Sequence, residues 1–252
     1  MKRSIIYLNA ILVALAFLLG AFITYSTSPA YAAMTTPKPI VRSGLSFVPH
    51  EVGCLTRPEF HYCYDVNSFG FRGKEPVSDS RCRVAVVGSS FAFGYGIYNE
   101  DTFAALLESK AIQPFNFAFG GATLYDMYDV AHAALDQLPY DVLIVSIVPG
   151  YDDSSVFSWG GHVDGRNPEG IEVELRRFQA LKLPTLLAIL PDSRWPDNSQ
   201  IGAIGTKLGW STLRVRLDPA DYYPVDQHYN VIGHQHIAAQ IAPVVAKLCQ
   251  IP

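Results

Sequence analysis

The chain has 252 residues, of which 49% are apolar and 17% charged, and a formal net charge of −4. Length and hydrophobicity of this order exclude a disordered chain and support one sizeable core, in a single domain rather than two. Lys2 and Arg3 are the only charged residues before Ala33, so the rest of the chain is more acidic still, which argues against nucleic acid or anionic membrane surfaces as partners.

Residues 1–32 read as a targeting segment. Lys2 and Arg3 precede an apolar run from Ile5 to Tyr25, Pro29 ends any helix, and Ala30-Tyr31-Ala32 supplies small residues at cleavage positions. The run is also long enough to span a bilayer as an uncleaved anchor. Either way the body is expected outside the cytoplasm, periplasmic or secreted, with no membrane contact beyond this segment. No cysteine follows the run closely, which argues against a lipoprotein anchor. The four cysteines, Cys54, Cys63, Cys82 and Cys249, all lie in the exported part, where oxidation is expected. Cys54 with Cys63 would close a short loop. Cys82 with Cys249 would staple the two ends of the main domain, worth about 5 kcal/mol on the chain-entropy model. Cys-x-x-Cys spacing is absent, so a cysteine metal site is the weaker alternative and two disulfides are expected.

Residues 33–80 form a linker and a loop-rich, aromatic lead-in packed on the main domain, which occupies 81–252. In that domain Arg83 to Val87 reads as a strand and Asp101 to Ser109 as a helix opened by Glu100 and Asp101. Phe115 to Phe119 is a second strand ending at Gly120-Gly121, and Thr123 to Gln137 is a helix. Asp141 to Val148, a continuous apolar run, is a central strand. A looser segment from Tyr151 to Asn167 leads to an amphipathic helix from Glu169 to Leu181. Pro184 to Leu190 is a strand, Ser199 to Leu208 a helix, Leu213 to Leu217 an edge strand, and Val231 to Leu248 a closing helix capped by Asn230. Strands alternating with helices imply an α/β fold: a three-layer α/β/α sandwich around a mostly parallel sheet of about five strands, flavodoxin-like.

Chemistry-bearing residues collect where such a fold binds ligands, just past the carboxyl ends of the strands. Ser89 and Ser90 follow the first strand, Asn116, Gly120 and Gly121 the second, and Gly150-Tyr151-Asp152-Asp153 the third; Asp226-Gln227-His228 precedes the last helix. Serine, aspartate and histidine in convergent loops are the parts of a nucleophile, base and orienter. His228, His234 and His236 with Asp226 also look like a metal cluster, but residues two apart on a helix point to different faces, and no metal or other cofactor is expected. Asp153 reads as a cap, and Arg72 as half of a structural ion pair. Tyr95 and Tyr151 are placed to line a substrate cleft, although packing is an equal alternative for such aromatics.

These blocks resemble those of the SGNH (GDSL-type) hydrolases, in a bacterial exported subgroup, over roughly Asn67 to Ala239. Gly88-Ser89-Ser90-Phe91-Ala92-Phe93-Gly94 is similar to the family's first block, with Ser89 where an aspartate is usual. Asn67-x-x-Gly70-Phe71-Arg72-Gly73 is similar to a lead-in of that subgroup. Asn116-Phe117-Ala118-Phe119-Gly120-Gly121 resembles the second block, and Asp226-Gln227-His228 the last, in Asp-x-His form. The resemblance implies Ser90 as nucleophile, His228 as base, Asp226 as orienter, and an oxyanion hole from the N–H groups of Ser90 and Gly121. The family's third block has an asparagine donor where this chain has Asp152. An ionised carboxylate cannot donate, so Asp152 is protonated, is replaced by another donor, or weakens the site; a working hole with two donors is the expectation.

The resulting reading is an exported serine esterase acting on a small-molecule or carbohydrate-linked ester. The same chemistry could pass an acyl group to a polysaccharide hydroxyl. A non-catalytic carbohydrate- or envelope-binding protein on a hydrolase scaffold is the alternative from another class.

Overall fold

The structure, a computed structural model, describes residues 14–21, 23–24, 40–41, 45–149, 168–192 and 200–251. Its centre is a five-stranded sheet of β3 (Cys82–Val87), β4 (Ile112–Asn116), β5 (Val142–Ile147), β6 (Thr185–Ile189) and β7 (Ser211–Arg214). The spatial order is β4-β3-β5-β6-β7, and every neighbouring pair is parallel. The expected three-layer α/β architecture is therefore present, in the order of flavodoxin-like doubly wound sheets. All residues of β5 and β6 are buried, which is why they read as unbroken apolar runs rather than alternating ones. Each buried Val, Leu or Ile there contributes roughly 2 kcal/mol relative to exposure.

Helices cover both faces. α3 (Leu124–Gln137), α4 (Pro168–Arg177) and α5 (Gln200–Lys207) pack in succession on one side, and α2 (Phe103–Leu106) packs against α6 (Val231–Leu248) on the other. α3 begins at Thr123, whose hydroxyl accepts from Asp126 N–H while the Asp126 carboxylate accepts from Thr123 N–H. α6 is capped as expected by the Asn230 side chain, which accepts from Gly233 N–H. It buries His234, Ile237, Ala238, Ile241 and Val245, one face at helical spacing. Cys249, at its end, is bonded to Cys82 at the start of β3.

Several boundaries differ from expectation. The helix expected from Asp101 to Ser109 is only α2, four residues long. Thr102 caps its start, and the Ser109 hydroxyl accepts from the N–H groups of Ala111 and Ile112. A serine that satisfies nearby backbone donors in this way turns the chain out of the helix and into β4. The second strand runs from Ile112 rather than from Phe115 to Phe119 and includes Pro114, which pairs opposite Val84. Proline is tolerated because β4 lies at the sheet edge, where an outward N–H has no partner to lose. The last strand begins and ends earlier than Leu213 to Leu217, but lies at the edge as expected. The lead-in is not wholly loop. It contains an antiparallel hairpin of β1 (Val52–Thr56) and β2 (His61–Asp65), with Cys54 and Cys63 directly opposite and disulfide-bonded. The inward rings Tyr62 and Tyr64 join Phe47, Phe60, Phe93 and Tyr95 in the common core. The segment from Tyr151 to Asn167 lies outside the described residues. Among those residues, no helix is long and apolar enough to cross a membrane.

His234 on α6 is 1% exposed, and its Nδ1 accepts from Phe103 N–H at 3.0 Å. Burial, with Arg72 and His228 adding, pushes its pKa from 6.5 down to about 3. The unfolded chain therefore binds a proton here below pH 6.5 that the native state refuses until about pH 3. Stability from this group is complete above that upper value and drains away as pH falls through the interval. Urea unfolding at pH 7 and pH 5 is expected to show this loss. His234→Gln, which can still accept from Phe103, should flatten the dependence.

Candidate active site

In the order β4-β3-β5, the chain leaves β3 for one side of the sheet and returns to the other, so the crevice beyond β3 and β5 is the switch point where such sheets bind ligands. The turn after β3 brings Ser90 there. Gly88 is required by close approach: a Cβ on it would lie 2.1 Å from Ser146 Oγ and 2.6 Å from Ala92 Cβ. Ser146 on β5 donates to Val87 O at 2.8 Å, locking the strand end below the turn. Ser90 then opens the four-residue helix α1 (Ser90–Phe93), where its N–H has no intrahelical acceptor.

Ser90, 5% exposed, has its Oγ 2.8 Å from His228 Nε2. His228 Nδ1 lies 2.6 Å from Asp226 Oδ1, and the same oxygen accepts from His228 N–H at 3.3 Å. With the Asp226 carboxylate accepting from Nδ1, Nε2 is the ring nitrogen left to receive a proton from Ser90. The Asp-x-His spacing closes because Gln227 between them takes a left-handed conformation, φ 70°, which turns the imidazole back over the carboxylate. His228 is held on its other faces by rings, stacked on Phe91 at 4.5 Å between centroids and against Tyr95 at 4.7 Å.

Gly121 lies in the turn after β4, with φ 75° and open space where a Cβ would stand, so its backbone conformation rather than crowding favours glycine. That turn is tied to the Ser90 turn by Phe119 N–H donating to Gly88 O at 3.2 Å. Asn116 adds a second tie, its Nδ2 donating to Ala92 O at 3.1 Å and its Oδ1 accepting from Ala118 N–H. Of the two alternatives for Tyr95, a cleft lining or packing, the structure has packing: it is 1% exposed and lies behind His228, where an aromatic supports the imidazole rather than meeting solvent. Asp152, Tyr151 and Asp153 lie outside the described residues. Ser89 is buried at 1%, and its Oγ has no partner among the described residues.

The remaining histidines are engaged separately. His234 is held by Phe103, and His236 Nδ1 lies 2.9 Å from Asp221 Oδ1. Among the described residues no group of three or more His, Cys, Asp or Glu is arranged to hold a metal ion.

Arg72 corrects an expectation. It is structural but, among the described residues, not half of an ion pair: its guanidinium donates to the carbonyls of Phe93 (2.7 Å), Gly94 (2.8 Å) and Ile97 (2.5 Å) and to Asn99 Oδ1 (2.7 Å). The carbonyls left open where a short helix ends are acceptors suited to a cation. The lead-in motif presents Arg72 through Asn67, whose Oδ1 accepts from Phe69 and Phe71 N–H. Two further supports were not legible in the sequence: Glu59, which holds Val225 and Asp226 across 166 and 167 residues, and Tyr223, whose hydroxyl ties the loop before His228 to Gly96 O, 127 residues away.

The architecture is shared with solved esterases. A psychrotrophic esterase, EstA, from Pseudoalteromonas sp. matches with a TM-score of 0.52 and 16% identity, over 68% of this chain and 100% of its own. A carbohydrate acetylesterase family member from Sinorhizobium meliloti matches with a TM-score of 0.52 and 14% identity, over 68% of this chain and all of its own. A two-domain esterase described as active on acetylated mannans matches with a TM-score of 0.53 and 17% identity, over 67% of this chain and 50% of its own. At such identities the likeness is one of fold. No protein-family model and no curated protein sequence matches the chain.

Proposed function

We propose that this protein is an exported serine ester hydrolase of SGNH (GDSL) type, cleaving short acyl esters, with acetyl groups on carbohydrate as the favoured substrate class. The observation that carries the reading is the contiguous relay from Ser90 Oγ through His228 to Asp226, at 2.8 Å and 2.6 Å, at the sheet's switch point. Two disulfides suit an oxidising compartment. The carbohydrate part of the reading leans on the two structural neighbours described as a carbohydrate acetylesterase family member and as active on acetylated mannans.

In the proposed reaction, Ser90 Oγ attacks the ester carbonyl as His228 Nε2 takes its proton, while Asp226 stabilises the imidazolium. The N–H groups of Ser90 and Gly121 are assigned to the developing oxyanion, where one donor is typically worth a hundredfold or more in rate. Collapse breaks the bond to the alcohol oxygen, which leaves with the proton from His228. Water, deprotonated by the same nitrogen, then releases the acid from Ser90.

The test is labelling with a fluorophosphonate followed by peptide mapping, alongside hydrolysis of p-nitrophenyl acetate. Modification of Ser90 that disappears in His228→Ala, together with measurable turnover, is expected. A folded protein that neither labels nor turns over would leave the binding-module reading in its place.

A further inference from the structure

We propose that the β1–β2 hairpin is a working part of the active site, with Glu59 at its turn as a positioning residue for Asp226 and His228; this rests on the serine-hydrolase reading above. The Glu59 carboxylate is bidentate on backbone of the loop before α6. Its Oε1 accepts from Val225 N–H at 2.9 Å and its Oε2 from Asp226 N–H at 2.6 Å. Hydrogen bonds to a charged acceptor are the stronger kind, and two in parallel fix orientation as well as distance.

What they orient is the orienter itself. Asp226 stands outside any helix or strand, two residues before His228 and joined to it through the left-handed Gln227. A rotation of the Asp226 backbone would therefore carry its carboxylate away from the imidazole. Glu59 holds that backbone from outside. On the inner side, Tyr223 N–H donates to His228 O at 2.9 Å, Gln227 N–H donates to Tyr223 O at 3.0 Å, and the Tyr223 hydroxyl donates to Gly96 O at 2.9 Å. The next hairpin residue, Phe60, continues the support: its ring lies 4.7 Å from Tyr223 and 5.5 Å from Tyr95, which in turn lies 4.7 Å from His228. Arg57 N–H bonded to Phe60 O closes the turn bearing Glu59, and the Cys54–Cys63 bond crosses the strands behind it. Glu59 thus sits on a stapled arm, half-buried against the loop, and has no counterpart in the blocks that mark Ser90, His228 and Asp226.

The test uses the full chain with Glu59→Ala and the isosteric Glu59→Gln. In Glu59→Ala, kcat for p-nitrophenyl acetate is expected to fall roughly 10- to 100-fold with KM within about twofold, the size expected for misplacing a reacting group by a fraction of an ångström to an ångström. Glu59→Gln keeps one acceptor oxygen and should recover part of that loss, which also covers the case in which the alanine variant does not fold. A readout independent of turnover is the proton NMR resonance of the His228 Nδ1–H bonded to Asp226, with the amide signals of Val225 and Asp226. All three are expected to shift or broaden in the variants. Unchanged kcat and an unchanged Nδ1–H signal, with or without a lower melting temperature, would overturn the proposal. If the wild type neither labels at Ser90 nor turns over, the functional reading fails on its own, while the NMR signals still decide whether Glu59 sets the Asp226–His228 geometry.

Discussion

Asp226→Asn is expected to lower kcat for ester hydrolysis by about 10⁴-fold while leaving the protein folded. The Asp226 carboxylate accepts both from His228 Nδ1 at 2.6 Å and from His228 N–H at 3.3 Å. This keeps the imidazole proton on Nδ1 and leaves the Nε2 lone pair facing Ser90. A carboxamide of the same shape can turn its NH₂ toward Nδ1, which moves the ring proton to Nε2, where it opposes the serine hydroxyl instead of accepting from it. The imidazolium of the proposed attack also loses its countercharge. The two side chains are only 13% and 16% exposed, so water replaces little of that interaction, and unit charges at such range in a partly buried site are worth about 4 kcal/mol. A 10⁴-fold loss corresponds to about 5.5 kcal/mol of barrier, so charge and tautomer together account for it. Steady-state kinetics with circular dichroism as the folding control provide the check; a loss smaller than tenfold would count against the relay.

Arg72→Met should destabilise the protein by about 3 kcal/mol, a large effect for a single substitution. The Arg72 side chain is 2% exposed, and burial lowers its pKa to about 10, so it remains charged at neutral pH. Its desolvation is offset by the donations to Phe93, Gly94, Ile97 and Asn99 and by the Phe93 ring 4.5 Å beneath it. Methionine fills the volume but removes a strong donor from three carbonyls: Phe93 O keeps Asn116 Nδ2 at 3.4 Å and Gly94 O keeps Ile97 N–H at 3.3 Å, while Ile97 O is left to bear an unpaired cost of about 1–3 kcal/mol, against which the relief from burying a cation is set. Arg72→Lys keeps the charge without the fork and should recover less than half of the loss. Because these carbonyls belong to the segment that leads directly out of α1, ester turnover should fall further than the folded fraction does. Urea unfolding reports the first effect and active-site titration the second; a midpoint free energy within about 0.5 kcal/mol of wild type would contradict the assignment.

Both effects begin with residues that stood out in the sequence, yet for different reasons. Asp226 and His228 were legible because two residues of the right chemistry stand in one short block before a helix. Arg72 was legible as a structural residue but was assigned the wrong kind of partner, since backbone carbonyls leave no trace in side-chain identity. The placement of Asp152, the one departure that bears on the proposed oxyanion hole, belongs to the segment outside the described residues.

What the sequence determined by itself is what local physics encodes. The buried runs of β5 and β6, the cap Asn230, the glycine before the paired serines and the expectation of two disulfides from four exported cysteines follow from period, capping chemistry and composition, whereas the Thr123 cap and the choice of cysteine partners came with the fold. Tertiary structure alone decided the short α2, the extension of β4 through Pro114 at an edge, and the β1–β2 hairpin. It also brought Glu59 to the backbone of Val225 and Asp226, across sequence separations of 166 and 167 residues. A carboxylate on a turn reads as a solvated surface charge until the chain folds, because its partners are backbone N–H groups that every residue but proline carries.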